Sequence, residues 1–177
     1  MPEVLLPAFS AAAILLVIAG ASKIASPYMA QASLSTAGLP APLAGVRALA
    51  LAEVAIGAAA LLEPSTLTAA AAALAYGVFC LFTLRLLRMA DEGVDCGCFG
   101  GAGSEVGGVH VGLNAAAFAV CAAAAVAPPP DLGWVFHRTP LTALAVCIGT
   151  GAIAYASFLA FTVFPRAWQA YSRGPAS

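Results

Sequence analysis

Five runs of about twenty apolar residues, each ended by proline or charge, constrain this chain more than any other feature. They are expected as membrane-spanning helices over 4–24, 43–62, 67–87, 109–126 and 141–164. Their ends carry Ser26-Pro27, Glu63-Pro64, Arg85 with Arg88, Pro128-Pro129-Pro130, and Pro165-Arg166. Proline cannot continue a helix interior, so these are natural stops. Mean hydropathy is +0.97, and only 8% of residues are charged. Such a composition excludes an ordinary soluble domain. The predicted fold class is therefore all-α: a polytopic membrane protein, a four-helix bundle plus a fifth C-terminal transmembrane helix. A net charge of −1 gives no polyelectrolyte signal, so the bilayer, not nucleic acid, is the expected partner.

The first span resembles a signal peptide in its apolar core and its Ala19-Gly20-Ala21 end. However, Glu3 precedes the core, no Lys or Arg does, and the run is long enough to span. It is read as a retained first helix. The connections differ in character. Residues 27–42 contain a possible short interfacial piece over 28–37, and 63–66 is a tight turn. Residues 89–108 form a polar loop. Residues 128–140 form a proline-rich interfacial linker with Trp134 and His137. The organisation expected is a membrane domain over 1–127, the linker 128–140, and an additional helix with a short tail over 141–177. Trp168 and Tyr171 in the tail suit interface anchors.

With alternating sides, Lys23, Arg47, Arg85, Arg88, Arg166 and Arg173 fall on one face, and Arg138 on the other. The positive-inside rule then places the N-terminus outside and loop 89–108 on the cytoplasmic side of the inner (plasma) membrane. Lys23, Arg47 and Arg85 lie at or within helix ends, so they also qualify as site residues. The alanine-rich stretch 68–75 fits close helix packing by small side chains, or a compositional bias towards alanine.

Chemistry concentrates in Asp95-Cys96-Gly97-Cys98-Phe99-Gly100. Two thiols one residue apart, with Gly97 between them, can close a small strained disulfide. Strained, accessible disulfides are the labile and catalytic ones. Asp91, Glu92 and Asp95 oppose thiolate formation, which leaves Arg88 and His110 as local compensation. Redox exchange through Cys96 and Cys98 ranks first. Binding of copper or zinc by the same sulfurs, with His110 as a third ligand, ranks second. A tight turn without chemistry ranks last. The other three of the five cysteines, Cys80, Cys121 and Cys147, lie in apolar runs and read as small hydrophobes.

Glu53 sits mid-span in the second apolar run, where a carboxylate needs a partner or a cavity. It reads equally as a proton donor shaping a site and as an ion pair with Lys23 that joins two helices. His110 and Asn114 are one helical turn apart and share a face. His110 either tunes a thiolate or moves a proton, or it merely sits at the interface; Asn114 reads more simply as a hydrogen-bonding glue between helices.

These residues together resemble one family. Ala21-Ser22-Lys23 ends a first helix, and Glu53 with Gly57 occupies a second. Arg85 ends a third, then Asp95-Cys96-Gly97-Cys98-Phe99-Gly100 follows, and Asn114 lies in a fourth. This order resembles the MauE family of methylamine-utilisation membrane proteins, grouped with the DoxX-like redox-associated proteins, over roughly residues 5–127. The resemblance implies a four-helix membrane domain that works with a thioredoxin-like partner in maturing a disulfide-rich exported protein. It implies Cys96 and Cys98 as the redox pair, with Lys23, Glu53 and Asn114 in support. A relay across the membrane would need further redox groups, either the buried cysteines or a bound quinone. Two other classes remain beside this one: a metal-binding membrane protein, and a non-catalytic assembly subunit.

Overall fold

The computed structural model describes residues 2–89, 105–137, 139–165, 167 and 171. Cys96 and Cys98 lie outside the described residues, as do Arg138, Arg166, Trp168 and Arg173. Within the described residues the chain is all-helical: a 3-10 turn Pro2–Leu5, then α1 (Leu6–Ala25), α2 (Pro27–Thr36), α3 (Leu43–Leu62), α4 (Thr66–Met89), α5 (Gly108–Val126), α6 (Leu132–Phe136) and α7 (Pro140–Thr162). Five of these are long and apolar enough to cross a membrane: α1 with its leading turn, α3, α4, α5 and α7. The chain is a polytopic membrane protein.

Helix α1 is the central element. It packs on α3, α7 and α5, while α4 packs on α5. Close contacts fix the directions. A Cβ on Gly20 would meet Ala50 and Val54, and one on Gly57 would meet Ala13 and Val17, so α1 and α3 are antiparallel. Gly77 faces Phe118 across the antiparallel α4–α5 pair. Gly149 faces Pro7, and Phe161 clusters with Ala19, so α7 runs parallel to α1. The ends of α1, α4 and α7 therefore share one face of the bundle with the starts of α3 and α5.

Side chains are sorted as a bilayer demands. The main core is small: Ala12, Ala13, Ala60, Ala69, Ala72, Ala73, Cys121 and Ala124 surround Phe9 and Tyr76. Large apolar side chains such as Leu51, Leu62, Leu67, Leu74 and Leu81 point outwards. Lipid solvates leucine as well as a protein core does, so tight backbone approach and internal polar contacts must hold the helices together. In α3 the buried stripe is Val46, Ala50, Glu53, Gly57 and Ala60, at helical spacing with one charge in it.

Two connections hold structure of their own. Helix α2 ends in a Schellman motif. Leu39 N–H donates to Leu34 O at 3.0 Å and Gly38 N–H to Ser35 O at 2.9 Å, with Gly38 at φ 69°. Arg85 Nε then donates to Ala37 O at 2.7 Å, tying the end of α4 to the negative end of α2. The expected linker 128–140 is not irregular throughout. Asp131 accepts from Trp134 N–H at 2.7 Å and starts the single turn of α6. Thr139 and Pro140 then begin α7.

The α1–α3 crossing yields a paired prediction. A Cβ at Gly57 would stand 2.7 Å from Ala13 O, which is backbone and cannot swing aside. Gly57→Ala should cost about 1–3 kcal/mol of stability through overpacking, despite alanine's better helix propensity. Gly112 has no atom within 4 Å of its built Cβ. Gly112→Ala should therefore change stability by no more than about 1 kcal/mol, in the favourable direction. Thermal unfolding of the two variants in one detergent compares them; equal melting temperatures would remove the close-approach explanation.

Candidate functional site: a buried polar cluster in the bundle

The site begins with Gly20. Because it has no side chain, α3 lies close enough for Glu53 Cβ to fall against α1. Lys23 is three residues on from Gly20, on the same face of α1. Helix side chains lean towards the N-terminus, so the Lys23 ammonium reaches back into the bundle instead of out to the surface. Lys23 Nζ and Glu53 Oε2 meet at 2.7 Å. Both residues are buried, at 5% and 1% exposure. The ion pair between the first two spans is present, and it is internal.

Aromatic side chains from α4 shape its surroundings. Lys23 Nζ stands 5.2 Å from the centre of the Phe79 ring, in cation–π range. Tyr76 packs edge-on to Phe79 with ring centres 6.2 Å apart, and its hydroxyl donates to Ala12 O at 2.6 Å. The second carboxylate oxygen, Glu53 Oε1, is buried and has no hydrogen-bond partner among the described residues. Such an atom calls for an explanation in a native structure.

Asn114 and His110 approach from α5. Asn114 lines a cavity of about 20 Å³ together with Lys23, Tyr76, Phe79 and Phe161. Its amide nitrogen donates to His110 O at 2.9 Å, one turn back in its own helix. Among the described residues, the hydrogen bond of the Asn114 side chain is thus made within α5 and not between helices as expected. His110, in the first turn of α5, is buried at 1% exposure. Its Nδ1 accepts from Gly107 N–H at 3.2 Å, which assigns the proton of the neutral imidazole to Nε2. Its ring packs against Phe161 of α7, with centres 5.7 Å apart.

Lys23, Glu53 and Asn114 thus come together, with His110 one turn away on the same helix. Tyr76, Phe79 and Phe161 complete the site and were not anticipated. Tyr76 had a usable signal, as a hydroxyl-bearing aromatic after a run of alanines. Phe161 had none, because α7 is apolar all round. Of the cysteines in the helices, Cys121 is buried in the same core cluster as Tyr76, Cys147 is exposed, and Cys80 lies between these extremes. The Cys80 thiol points at Val111 O at 3.7 Å. Among the described residues no three of His, Cys, Asp or Glu group to hold a metal ion.

Removing one member of a buried ion pair leaves the other charge stranded. Lys23→Met should therefore cost about 3–5 kcal/mol, with Glu53→Leu in the same range. The double variant should recover most of that loss, since an apolar pair of similar volume replaces two desolvated charges. A double-mutant cycle by chemical denaturation in detergent reads this directly; additive losses would mean that the two residues are not coupled.

No curated protein and no solved structure matches the chain. Residues 1–128 match the family described as methylamine utilisation protein MauE. That stretch spans α1 to α5 and includes Lys23, Glu53, Cys96, Cys98, His110 and Asn114, and on this match, which covers well over half its length, the chain belongs to the MauE family.

Proposed function

We propose that this protein is a thiol–disulfide redox protein of the inner membrane. In this reading it exchanges electrons through Cys96 and Cys98 with a thioredoxin-like partner and supports disulfide formation or maturation in exported proteins. One observation carries the reading. The segment with Cys96-Gly97-Cys98 joins Met89 of α4 to Glu105, just before α5. Those two helices contribute Tyr76, Phe79, His110 and Asn114 to the buried polar cluster. The dithiol is therefore carried between two helices that also help to build the cluster around the Lys23–Glu53 pair.

The exchange itself is balanced. A thiolate of the Cys96/Cys98 pair attacks one sulfur of the partner's disulfide, that S–S bond breaks, and the departing sulfur takes a proton. The second cysteine then attacks the mixed disulfide and releases the partner as a dithiol. Two electrons and two protons leave the Cys96/Cys98 dithiol, and the reverse direction uses the same steps. Glu53 Oε1, buried and unpartnered among the described residues, is the atom we assign to proton uptake. Lys23 holds the carboxylate in place, and His110 offers a second proton-carrying group at the start of α5.

A Cys98→Ser variant should accumulate a mixed disulfide between Cys96 and a cellular thioredoxin-like protein, recoverable under non-reducing conditions and identified by mass spectrometry. Side-specific thiol labelling of intact cells, in the same strain, reports the redox state and the face of the membrane on which the pair lies. No trapped partner, together with labelling unaffected by oxidant, would overturn the proposal.

A further inference from the structure

We propose that Phe161 of α7 is a positioning residue for the buried polar cluster: it seats the His110 ring and closes the cavity that reaches Lys23 and Asn114. The inference deepens the redox reading above, which supplies the reason for the cluster, although the placement of Phe161 does not depend on it.

Helix α7 begins at Pro140, beyond the residues matched to the family. Most of its length faces outwards, with Leu141, Leu144, Ile148, Ile153 and Tyr155 exposed. Its buried residues are Phe161 and Thr162, both in the last turn. Thr162 is satisfied within its own helix, donating to Phe158 O at 2.8 Å. Phe161 is thus the buried aromatic side chain through which the end of α7 engages the bundle, with Phe158 of the preceding turn packed against the same cluster. The ring packs with Leu15 and Ala19 of α1 and beside Leu113 of α5. It also packs, tilted by 59°, against the His110 imidazole, whose Nδ1 accepts from Gly107 N–H.

The cavity behind the ring has room for about one water, at about 20 Å³. Lys23, Asn114 and Tyr76 lie on its walls. Without the aromatic ring, this space would widen towards the end of the bundle where α1 and α7 stop, and so towards water. A buried charge pair is strengthened where water is kept out, and an imidazole transfers protons usefully only when its orientation is fixed. One side chain can serve both needs because α7 runs parallel to α1, which brings its last turn beside Lys23.

The test uses the full chain in detergent or nanodiscs. Ala19, on the cavity wall, is changed to cysteine, and its modification by a small water-soluble methanethiosulfonate is followed peptide by peptide. With Phe161 present the residue should react slowly. It should react severalfold faster in Phe161→Ala and at an intermediate rate in Phe161→Leu. In parallel, the ¹⁵N spectrum of His110 should show a single tautomer in the native chain. That signature should be lost in Phe161→Ala and restored in the ring-keeping Phe161→Tyr. Should the alanine variant fail to fold, the leucine variant carries the labelling comparison. Equal labelling rates, or rapid labelling of the native chain, overturn the closure; an unchanged His110 spectrum in Phe161→Ala overturns the seating. Labelling as expected with no trapped mixed disulfide would sink the redox reading and leave the role of Phe161 in place.

Discussion

The Lys23–Glu53 pair is the constraint on which the other contacts depend. Two opposite charges held at 2.7 Å inside a lipid-facing bundle cannot separate without stranding each other. They therefore set the register of α1 against α3 more sharply than the surrounding alanines can. The pair in turn requires the close crossing at Gly20 and Gly57. A side chain at either glycine would push α3 outwards and draw Glu53 away from Lys23. Here backbone permissiveness and electrostatics are one device, built from four residues on two helices.

The remaining polar contacts extend that device around the bundle. Tyr76 links α4 to the backbone of α1, Phe79 supplies a ring beneath the ammonium, and α5 brings Asn114 to the same cavity. Each replaces the hydrophobic driving force that helices lose when lipid is the solvent. Further down, the core is mostly alanine and offers contact area without chemical direction. Orientation of the helices about their axes is therefore set mainly near the Lys23 end. That is also the end at which α4 stops and α5 starts, and so the end at which the cysteine-bearing segment is attached.

Much of this was legible in the chain, for identifiable reasons. Proline and charge punctuate the apolar runs, so the five spans and the short α2 are readable to within a few residues. Glu53 is conspicuous because a mid-span carboxylate is costly; the sequence offers both Lys23 and Arg47 as cations to answer it, and the buried Lys23 does so while Arg47 is exposed. Other features had no one-dimensional signal. The last turn of α7 looks like the rest of α7, and only packing distinguishes Phe161 from Phe158 or Phe164. Helix α6 is too short to carry a period. The charge count was ambiguous for a physical reason. Lys23 is spent in a buried pair and Arg85 on the end of α2, so a basic residue at a helix end does not by itself report a membrane face.

The added helix makes the same point about how polar clusters shape membrane folds. A helix that touched the bundle only through generic apolar contact would gain little over contact with lipid. Helix α7 gains a specific seat instead, because the space beside Lys23 and His110 is poorly filled by a flexible acyl chain and well filled by a rigid ring. An aromatic side chain there shields a charge pair and an imidazole at once, and both interactions strengthen as water is excluded. The seat of α7 is therefore prepared by the polar residues of α1 and α5. The electrostatics that order the matched domain also explain where the helix beyond it docks.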